Sequence, residues 1–495
     1  MRGGNCMQIT RRFLLTGAAA GFAAPAWPEA PIRSPLPLRR PATVLDARAA
    51  LATEALIAEA QLGGEVGFAV ADMRTGRILE SRKPALALPV ASTAKAITTL
   101  FALDRLGPQH RFATRLLATG PVLGGRIEGD LVLAGGGDPT LHTDHLAAMA
   151  RDLRAAGISG IAGRFLVWGG ILPYVPEIAH DQPVHAGYNP AVSGLNLNFN
   201  RVYFEWKANG TGYETSMDAR SDTVVPRVNV AQISVVARDL PIFTHDLRNG
   251  REEWTVAATA LGKEGGRWLP VRRPEIYAGD VFRTLARAHG VTLPAPEQVA
   301  QLPGGAVLVQ HDSAELTAIL REMLRFSTNI TAEAVGMTAS GLRGVGSGSI
   351  TASGRAMSDW LTARGIEDTQ FAGHSGLGIE TRLGAGAMVS ALAQLGPAAG
   401  LRPLLRPFAL PETGGKANPL RVVAKTGTLN FVSTLAGYVT GPVGAELAFA
   451  IFTGDEARRA AAGQVETPPG ARAWVGRSKT LQQKLILRWA KAYGA

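Results

Sequence analysis

Cysteine is almost absent from this chain, and its scarcity excludes two kinds of chemistry. The single cysteine, Cys6, lies ahead of a segment that we expect to be cleaved. A start at Met7 instead of Met1 would also remove it. The mature protein is therefore expected to have neither a disulfide nor a thiol nucleophile.

Several functional signatures are also missing. No Lys/Arg run is interleaved with aromatic residues, so nucleic acid is not an expected partner. The chain has no His-Glu-x-x-His pattern, and neither Gly262-Lys263 nor Gly415-Lys416 completes a phosphate-binding loop. Ser375 lacks the closing glycine of a nucleophile elbow. These absences argue against a metalloprotease, a nucleotide-binding enzyme and an α/β-hydrolase.

One short stretch has residue types that can bind metals. It contains Asp138, His142, Asp144 and His145. A turn at Asp138-Pro139-Thr140, followed by a solvated helix start, accounts for the same residues. We expect the turn, and we expect no metal or other cofactor.

The N-terminus resembles an export signal over residues 1–26. Arg11 and Arg12 precede a short apolar run that ends near the small residues Ala24-Pro25-Ala26. The paired arginines resemble a twin-arginine signal, and the run is too short to span a bilayer permanently. Residues 27–42 are expected to be a linker. We therefore predict a periplasmic protein.

The chain is basic, with a formal net charge of +11 that falls to +8 once Arg2, Arg11 and Arg12 are removed. A basic exported protein suits an anionic polymer, or peripheral contact with a membrane surface. The composition is globular, with 46% hydrophobic and 18% charged residues. Nothing in it indicates an oligomeric state.

The pattern of elements changes twice along the chain. Residues 43–111 read as helix, hairpin and helix, and residues 311–495 return to helices followed by three strands and a closing helix over Ser478–Ala492. Between them, residues 112–310 are mainly strand-like. We therefore predict an α/β (α+β) domain formed by 43–111 and 311–495, interrupted by an inserted, mainly β region of one or two smaller domains.

Ser92 and Lys95 form a Ser-x-x-Lys pair at the start of an apolar, helix-periodic run. Residues three apart share one face of a helix, so the two side chains can touch. A lysine with a lowered pKa can act as the base for a serine nucleophile. Alone, such a pair is common by chance and is better explained by a helix cap and a surface lysine.

Two further short motifs supply the groups that a serine and its base need for acyl transfer: one to hold the base and one to bind the substrate. Ser327-Thr328-Asn329 lies between two predicted helices, and Ser327 and Asn329 can hold and recharge the base. Lys425-Thr426-Gly427-Thr428 lies on a predicted strand. Its lysine and threonines can bind a carboxylate, and Gly427 leaves room for substrate at the strand edge. Backbone N–H groups of Ser92 and Thr428 are the expected oxyanion hole.

In this order the three motifs match the signature of penicillin-interacting serine enzymes. Further segments limit the resemblance to one family of these enzymes. They are Gly129–Leu133, Gly137–Leu141 and Ala424–Leu429. The chain resembles the class C low-molecular-mass penicillin-binding proteins, the D-alanyl-D-alanine carboxypeptidase/endopeptidase family, over essentially its whole mature length. The 235 positions between Ser92 and Ser327 leave room for the insertion, which β-lactamases lack.

The resemblance implies a transpeptidase-like fold and an acyl-serine reaction on peptidoglycan stem peptides and cross-links, with β-lactam antibiotics as covalent inhibitors. It implies that Ser92, Lys95, Ser327 and Asn329 are catalytic, and that Lys425–Thr428 binds substrate. A catalytically silent peptidoglycan-binding protein and a β-lactamase are the alternatives. The balance between carboxypeptidase and endopeptidase activity stays open, as does the ligand of the inserted region.

The chain departs from the family pattern at two places. Thr328 stands where relatives commonly have Asp, a position whose role we cannot derive. Gly373-His374-Ser375-Gly376-Leu377-Gly378 stands where they have Asp-Gly-Ser-Gly-Leu-Ser. The second departure removes an acidic residue near the expected cleft, and we expect an effect on substrate preference or rate.

Overall fold

The fold is taken from a computed structural model, which describes residues 42–341, 348–412, 415–442 and 444–494. The expected export signal and almost all of the expected linker, residues 1–41, lie outside that part. The chain divides into two compact units, Met1–Glu54 and Ala55–Ala495. In the first, the described residues are the N-terminal part of one helix. Everything below concerns the second.

Ten α-helices occur in the described residues. They are α1 (Ala42–Ala60), α2 (Ala94–Leu106), α3 (Thr143–Ala155), α4 (Pro274–Ala288), α5 (Leu316–Phe326), α6 (Asn329–Gly341), α7 (Ile350–Thr362), α8 (Ala385–Leu395), α9 (Glu456–Ala462) and α10 (Ala471–Tyr493).

The strands of the same residues form six sheets. They are β1 (Glu65–Asp72), β2 (Ile78–Arg82), β3 (Leu88–Pro89), β4 (Ala113–Ala118), β5 (Val122–Leu123), β6 (Arg126–Ile127), β7 (Leu131–Ala134), β8 (Gly160–Ile161), β9 (Phe165–Trp168), β10 (Arg201–Ala208), β11 (Tyr213–Asp218), β12 (Ala231–Val236), β13 (Phe243–Arg248), β14 (Arg251–Ala257), β15 (Glu264–Pro270), β16 (Pro296–Gln298), β17 (Ala306–Asp312), β18 (Thr369–Gln370), β19 (Arg382–Leu383), β20 (Arg406–Pro407), β21 (Arg421–Leu429), β22 (Val432–Thr440) and β23 (Glu446–Gly454).

The central sheet joins strands from distant parts of the chain. Its order is β2-β1-β23-β22-β21-β20, and every neighbouring pair is antiparallel. Strands β1 and β2 precede the predicted insertion, whereas the other four come from residues 406–454. The tight turn between β1 and β2 uses Gly76 at φ +70° and a cap from the Asp72 carboxylate. The sheet therefore closes only after the chain has completed the intervening region.

Side-chain size differs between the two faces of this sheet. One cross-strand row consists of Ala69, Ala450, Ala436 and Lys425, and α8 packs on this face. Large apolar residues such as Phe68 and Ile451 point to the other face, where α10 packs. Because alanine projects little, helices can approach the first face closely. Lys425 lies at the end of that alanine row.

Residues 113–312 contain their own sheets and core. The largest sheet has five strands in the order β16-β9-β7-β4-β17, and β4 and β17 pair antiparallel at one edge. Helices α3 and α4 pack beside it around buried residues such as Phe165 and Phe282. Strand β4 enters this region and β17 leaves it, so the two connections run side by side.

The predicted fold class is confirmed: helices flank an antiparallel sheet, and further sheets occupy the intervening residues. The closing helix α10 begins at Ala471, seven residues before the predicted start at Ser478. Trp474 explains the difference, because its side chain is fully buried and its indole N–H donates to the Leu62 carbonyl. No helix in the described part of the chain is long and apolar enough to cross a membrane.

Candidate active site

The predicted nucleophile lies in a short turn beside the central sheet. Ser92 is in a 3₁₀ turn, Ala91–Thr93, that leads directly into α2. Ala91 adopts φ +46°, a strained conformation for a residue with a side chain. The Val90 carbonyl is held by hydroxyl donors from Thr93 at 2.6 Å and from Thr434 on β22 at 2.8 Å. The turn is therefore fixed to the sheet immediately before the serine.

Lys95 is buried, with no exposed surface, and its ammonium nitrogen has three oxygen partners. Nζ lies 2.9 Å from Ser92 Oγ, 2.7 Å from Asn329 Oδ1 and 2.8 Å from the Ser375 carbonyl. Burial, and then the positive charge of Lys425, lower the pKa of Lys95 well below its usual value, while Glu333 raises it. The lysine is thus placed and tuned to accept a proton from Ser92.

The Ser-x-Asn segment connects α5 to α6. Ser327 adopts the left-handed conformation at the end of α5, with φ +61°. Asn329 then opens α6 and is mostly buried. Its amide group bridges two partners, because Oδ1 accepts from Lys95 while Nδ2 donates to the Tyr188 carbonyl at 2.9 Å. The sharp reversal at Ser327 turns both polar side chains toward the two lysines.

Lys425 contacts this segment from β21. Its Nζ donates to Ser327 Oγ at 2.9 Å and to the Thr426 carbonyl at 2.7 Å. Burial, and then the charge of Arg406, lower the pKa of Lys425 to about 7. The lysine can therefore switch between its charged and neutral forms close to neutral pH.

The residues that follow Lys425 in the Lys-Thr-Gly motif differ in their exposure and in the face of the strand on which they lie. A Cβ atom on Gly427 would lie 2.9 Å from the Ser92 nitrogen, so a glycine is required for β21 to abut the serine turn. Thr428 is exposed and lines the cleft. The Thr426 side chain alternates to the opposite face of the strand, opposite Leu435. Thr428 shares that face, because residues two apart on a strand point the same way. Substrate binding by either threonine side chain stays a prediction.

A cleft of about 530 Å³ opens in front of these groups. Its walls include four motif residues (Ser92, Ser327, Asn329, Thr428), three residues of the insertion (Asp181, Gln182, Tyr188) and three that follow β23 (Arg459, Gln464, Glu466).

Three ion-pair contacts join residues of the predicted insertion to the segment after β23 at this cleft. Arg459 lies 2.6 Å from the Asp181 carboxylate. Glu466 lies 3.2 Å from His185 and 2.8 Å from Arg267, and these partners, His185 foremost, lower the pKa of Glu466 to about 2. Sequence analysis missed these residues, because the paired positions are 199 to 281 apart in the chain.

Residues 373–378, which the sequence places near the cleft, form a loop behind Lys95 whose backbone contacts were not predicted. The Glu333 carboxylate accepts N–H groups from His374 at 2.9 Å and Ser375 at 2.8 Å. Thr98 on α2 donates to the His374 carbonyl at 2.6 Å. The loop therefore contributes backbone N–H and carbonyl groups to the site. Side-chain motifs in a sequence do not indicate such groups.

Two of the residues considered as metal ligands, Asp138 and Asp144, accept hydrogen bonds from nearby hydroxyl groups. The Asp138 carboxylate accepts hydrogen bonds from the backbone and hydroxyl of Thr140, as in an Asx turn. Helix α3 begins just after, at Thr143. Within the described residues, no group of three or more His, Cys, Asp or Glu side chains is arranged to hold a metal ion.

Comparison with known proteins gives consistent results. The model of the D-Ala-D-Ala carboxypeptidase 3 (S13) family matches residues 49–468. The chain is 29% identical over 445 residues to a D-alanyl-D-alanine carboxypeptidase of Actinomadura sp. (strain R39), covering 80% of this chain and 79% of that protein.

Two solved structures of penicillin-binding protein 4 from Haemophilus influenzae share the fold. The first has a TM-score of 0.72 at 21% identity, and the second, a complex with a β-lactam, has 0.68 at 20%. Each alignment covers 88% of this chain and 98% of the other. Since the family model spans most of its length, this chain belongs to the D-Ala-D-Ala carboxypeptidase 3 (S13) family.

Proposed function

We propose that this chain is a serine-type D-Ala-D-Ala carboxypeptidase and endopeptidase that acts on peptidoglycan stem peptides and cross-links. The observation that carries the proposal is the buried Lys95, whose Nζ lies 2.9 Å from Ser92 Oγ. Membership of the S13 family and the β-lactam bound by the Haemophilus influenzae protein support it. Catalytic roles for Ser92, Lys95, Ser327 and Asn329 are part of this proposal.

Acylation begins with neutral Lys95. Its Nζ takes the hydroxyl proton of Ser92 while Oγ bonds to the carbonyl carbon of the penultimate D-Ala. Backbone N–H groups of Ser92 and Thr428 stabilise the oxyanion. The C–N bond to the last residue then breaks, and the leaving amine takes the proton that Lys95 holds.

Lys425 in its charged form and Thr428 bind the terminal carboxylate of the substrate, and the Lys425–Ser327 contact orients the lysine. Water then attacks the acyl carbon while Lys95 takes one of its protons. The bond between that carbon and Ser92 Oγ breaks, and Oγ takes the proton back from Lys95. In a β-lactam the leaving nitrogen stays tethered to the acyl group. It obstructs the water, so the adduct with Ser92 persists.

The organisation and location of the enzyme follow from the same proposal. Residues 43–111 and 311–495 form the catalytic domain, and residues 112–310 form the inserted accessory region. The central sheet supports this division, because its strands come from residues 65–82 and 406–454. Export to the periplasm by a twin-arginine signal in residues 1–26 would bring the enzyme to its substrate. The net positive charge favours contact with anionic envelope surfaces.

Labelling with a fluorescent penicillin tests the nucleophile. We expect wild-type protein and the control Ser81→Ala, an exposed serine on the edge strand β2, to be labelled equally. We expect Ser92→Ala to take no label. Unlabelled wild-type protein, or labelled Ser92→Ala, would remove the enzymatic assignment and leave a silent peptidoglycan-binding protein.

Purified muropeptides test the reaction itself. Release of free D-Ala from monomers or splitting of cross-linked dimers would support the proposal, and their relative rates measure the balance between the two activities. Rapid turnover of the penicilloyl-enzyme without either product would instead identify a β-lactamase.

A further inference from the structure

Helix α6 carries a buried carboxylate one turn after Asn329. Glu333 is 1% exposed, and its two oxygens accept one backbone N–H each, from His374 and Ser375. A buried carboxylate without partners would be strongly destabilising, so these hydrogen bonds tie the loop firmly to α6. A Cβ atom on Gly373 would lie 3.1 Å from Glu333 Oε1, which shows how closely the loop lies on the carboxylate.

The loop in turn contacts the base. The Ser375 carbonyl accepts from Lys95 Nζ at 2.8 Å, beside the Asn329 Oδ1 contact at 2.7 Å. Both oxygens are acceptors without a hydrogen to give. A neutral lysine has two N–H groups and one lone pair. When its two N–H groups point to these oxygens, its lone pair is left for the third partner, Ser92 Oγ, at 2.9 Å.

We propose that Glu333 is a positioning residue for Lys95. Its carboxylate fixes the His374–Ser375 backbone, so that the Ser375 carbonyl occupies one N–H of Lys95 and directs the lone pair toward the hydroxyl proton of Ser92. Once Lys95 has taken that proton, all three oxygens accept from the ammonium group. Asn329 and Glu333 lie four residues apart on α6, so a single helix orients the base through both of its acceptors.

The negative charge of Glu333 also affects the pKa of Lys95, which the position of the loop alone would not do. Burial and Lys425 lower the pKa of Lys95, and Glu333 raises it. Removing this negative charge would lower the pKa of Lys95 further. Neutral Lys95 would then persist to lower pH. The acid limb of the pH–rate profile, where the acylation rate falls as Lys95 becomes protonated, would therefore move to lower pH.

The inference rests on the proposed function, and one series of variants tests both. The rate of Ser92 acylation by a fluorescent penicillin is measured from pH 4 to 9 in full-length protein. For Glu333→Gln we expect a rate about 10- to 100-fold below wild type, because its amide cannot accept from both N–H groups. We also expect its acid limb about half a pH unit or more below that of wild type.

Three controls separate position from charge and from folding. Glu322→Gln, on the exposed face of α5, should match wild type. Thr98→Val removes a hydrogen bond to the same loop without changing any charge, and should slow acylation with no shift of the limb. Glu333→Asp keeps the charge on a shorter side chain. It should also slow acylation and should leave the acid limb of the pH–rate profile in place. It remains informative if Glu333→Gln does not fold.

The outcomes are distinguishable. Wild-type protein that is not acylated at Ser92 would overturn the proposed function. Wild-type protein that is acylated, with Glu333→Gln or Glu333→Asp acylated at the wild-type rate, would overturn the positioning role alone. Slow acylation of Glu333→Gln with an unshifted acid limb would reduce Glu333 to a structural residue.

Discussion

Lys95 Nζ and Asn329 Oδ1 lie 2.7 Å apart although 234 positions separate the residues in the chain. The contact couples the helix that follows the nucleophile to α6, and it restricts the orientation of the base. The same asparagine donates to the Tyr188 carbonyl, so it also connects Lys95 to the predicted insertion.

Asn329→Asp should convert this contact into an ion pair. A carboxylate 2.7 Å from Nζ stabilises the charged form of Lys95 and raises its pKa, so acylation at pH 7 should fall at least about 10-fold. Relative to wild type at the same pH, the rate should recover as the pH is raised. Asn329→Ala is the control, because it lacks the charge and should stay slow throughout. Equal pH profiles for the two variants would contradict the explanation.

Lys425 should set an alkaline limit on the reaction. Its pKa is about 7, and only its charged form can pair with a substrate carboxylate. We therefore expect kcat/KM for a D-Ala-D-Ala peptide to decline as the pH rises past about 7.

The charge of Arg406 provides a test of that limit. Arg406→Ala removes a cation that lowers the pKa of Lys425, so the alkaline limb should move to higher pH. Arg421→Ala, an exposed arginine at the start of β21, is the matched control and should leave the limb in place. An alkaline limb that stays fixed in Arg406→Ala would assign it to another group.

Gly427→Ala should disable the site through the backbone. Its Cβ atom would lie 2.2 Å from Thr434 Oγ1 and 2.9 Å from both the Ser92 nitrogen and the Val90 carbonyl. We expect acylation to fall by about 100-fold or more, because the serine turn must move away from β21. Adding Thr434→Ala removes only the first clash and should restore little. Full rescue by that second change would show that the hydroxyl, and not the turn, is the obstacle.

Gly336 and His374 should be strongly coupled in stability. A Cβ atom on Gly336 would lie 2.1 Å from the His374 ring, which is fully buried and contacts Ser353 at 2.7 Å. Gly336→Ala should therefore destabilise the protein by about 1–3 kcal/mol in urea unfolding.

Two further variants test that coupling. Combining Gly336→Ala with His374→Ala should cost at least about 1 kcal/mol less than the sum of the single changes. Gly476→Ala, in α10 with open space around it, should be neutral or stabilising. Additive single changes would argue against a direct clash.

Side-chain motifs and hydrophobic periodicity carried most of what could be predicted. Ser92, Lys95, Asn329 and Lys425 could be proposed because their chemistry resides in side chains at characteristic spacings. The first hairpin, the closing strands and the helices were predicted from alternating and helix-periodic segments, whereas the transpeptidase-like arrangement came from the family resemblance.

Other parts of the site could not be predicted from residue types. The Ser375 and Tyr188 carbonyls accept hydrogen bonds from Lys95 and Asn329 through the backbone, and every residue has a backbone carbonyl. The Asp181–Arg459 pair joins residues 278 positions apart, and charged residues are common in surface loops. Such contacts depend on the completed fold, so local sequence patterns do not reveal them.

The Ser375 carbonyl has a consequence for how such enzymes can diverge. A main-chain acceptor remains the same whichever side chain its residue carries, so a change of side chain at position 375 leaves the acceptor for Lys95 in place. Proline is the exception at positions 374 and 375, because it would remove an N–H group that donates to Glu333. Positions 373 and 374 are restricted by packing instead, because Glu333 lies against Gly373 and Gly336 lies against the His374 ring. The chain path of the loop therefore preserves the contact with Lys95, whereas the surrounding side chains limit which residues the loop can carry.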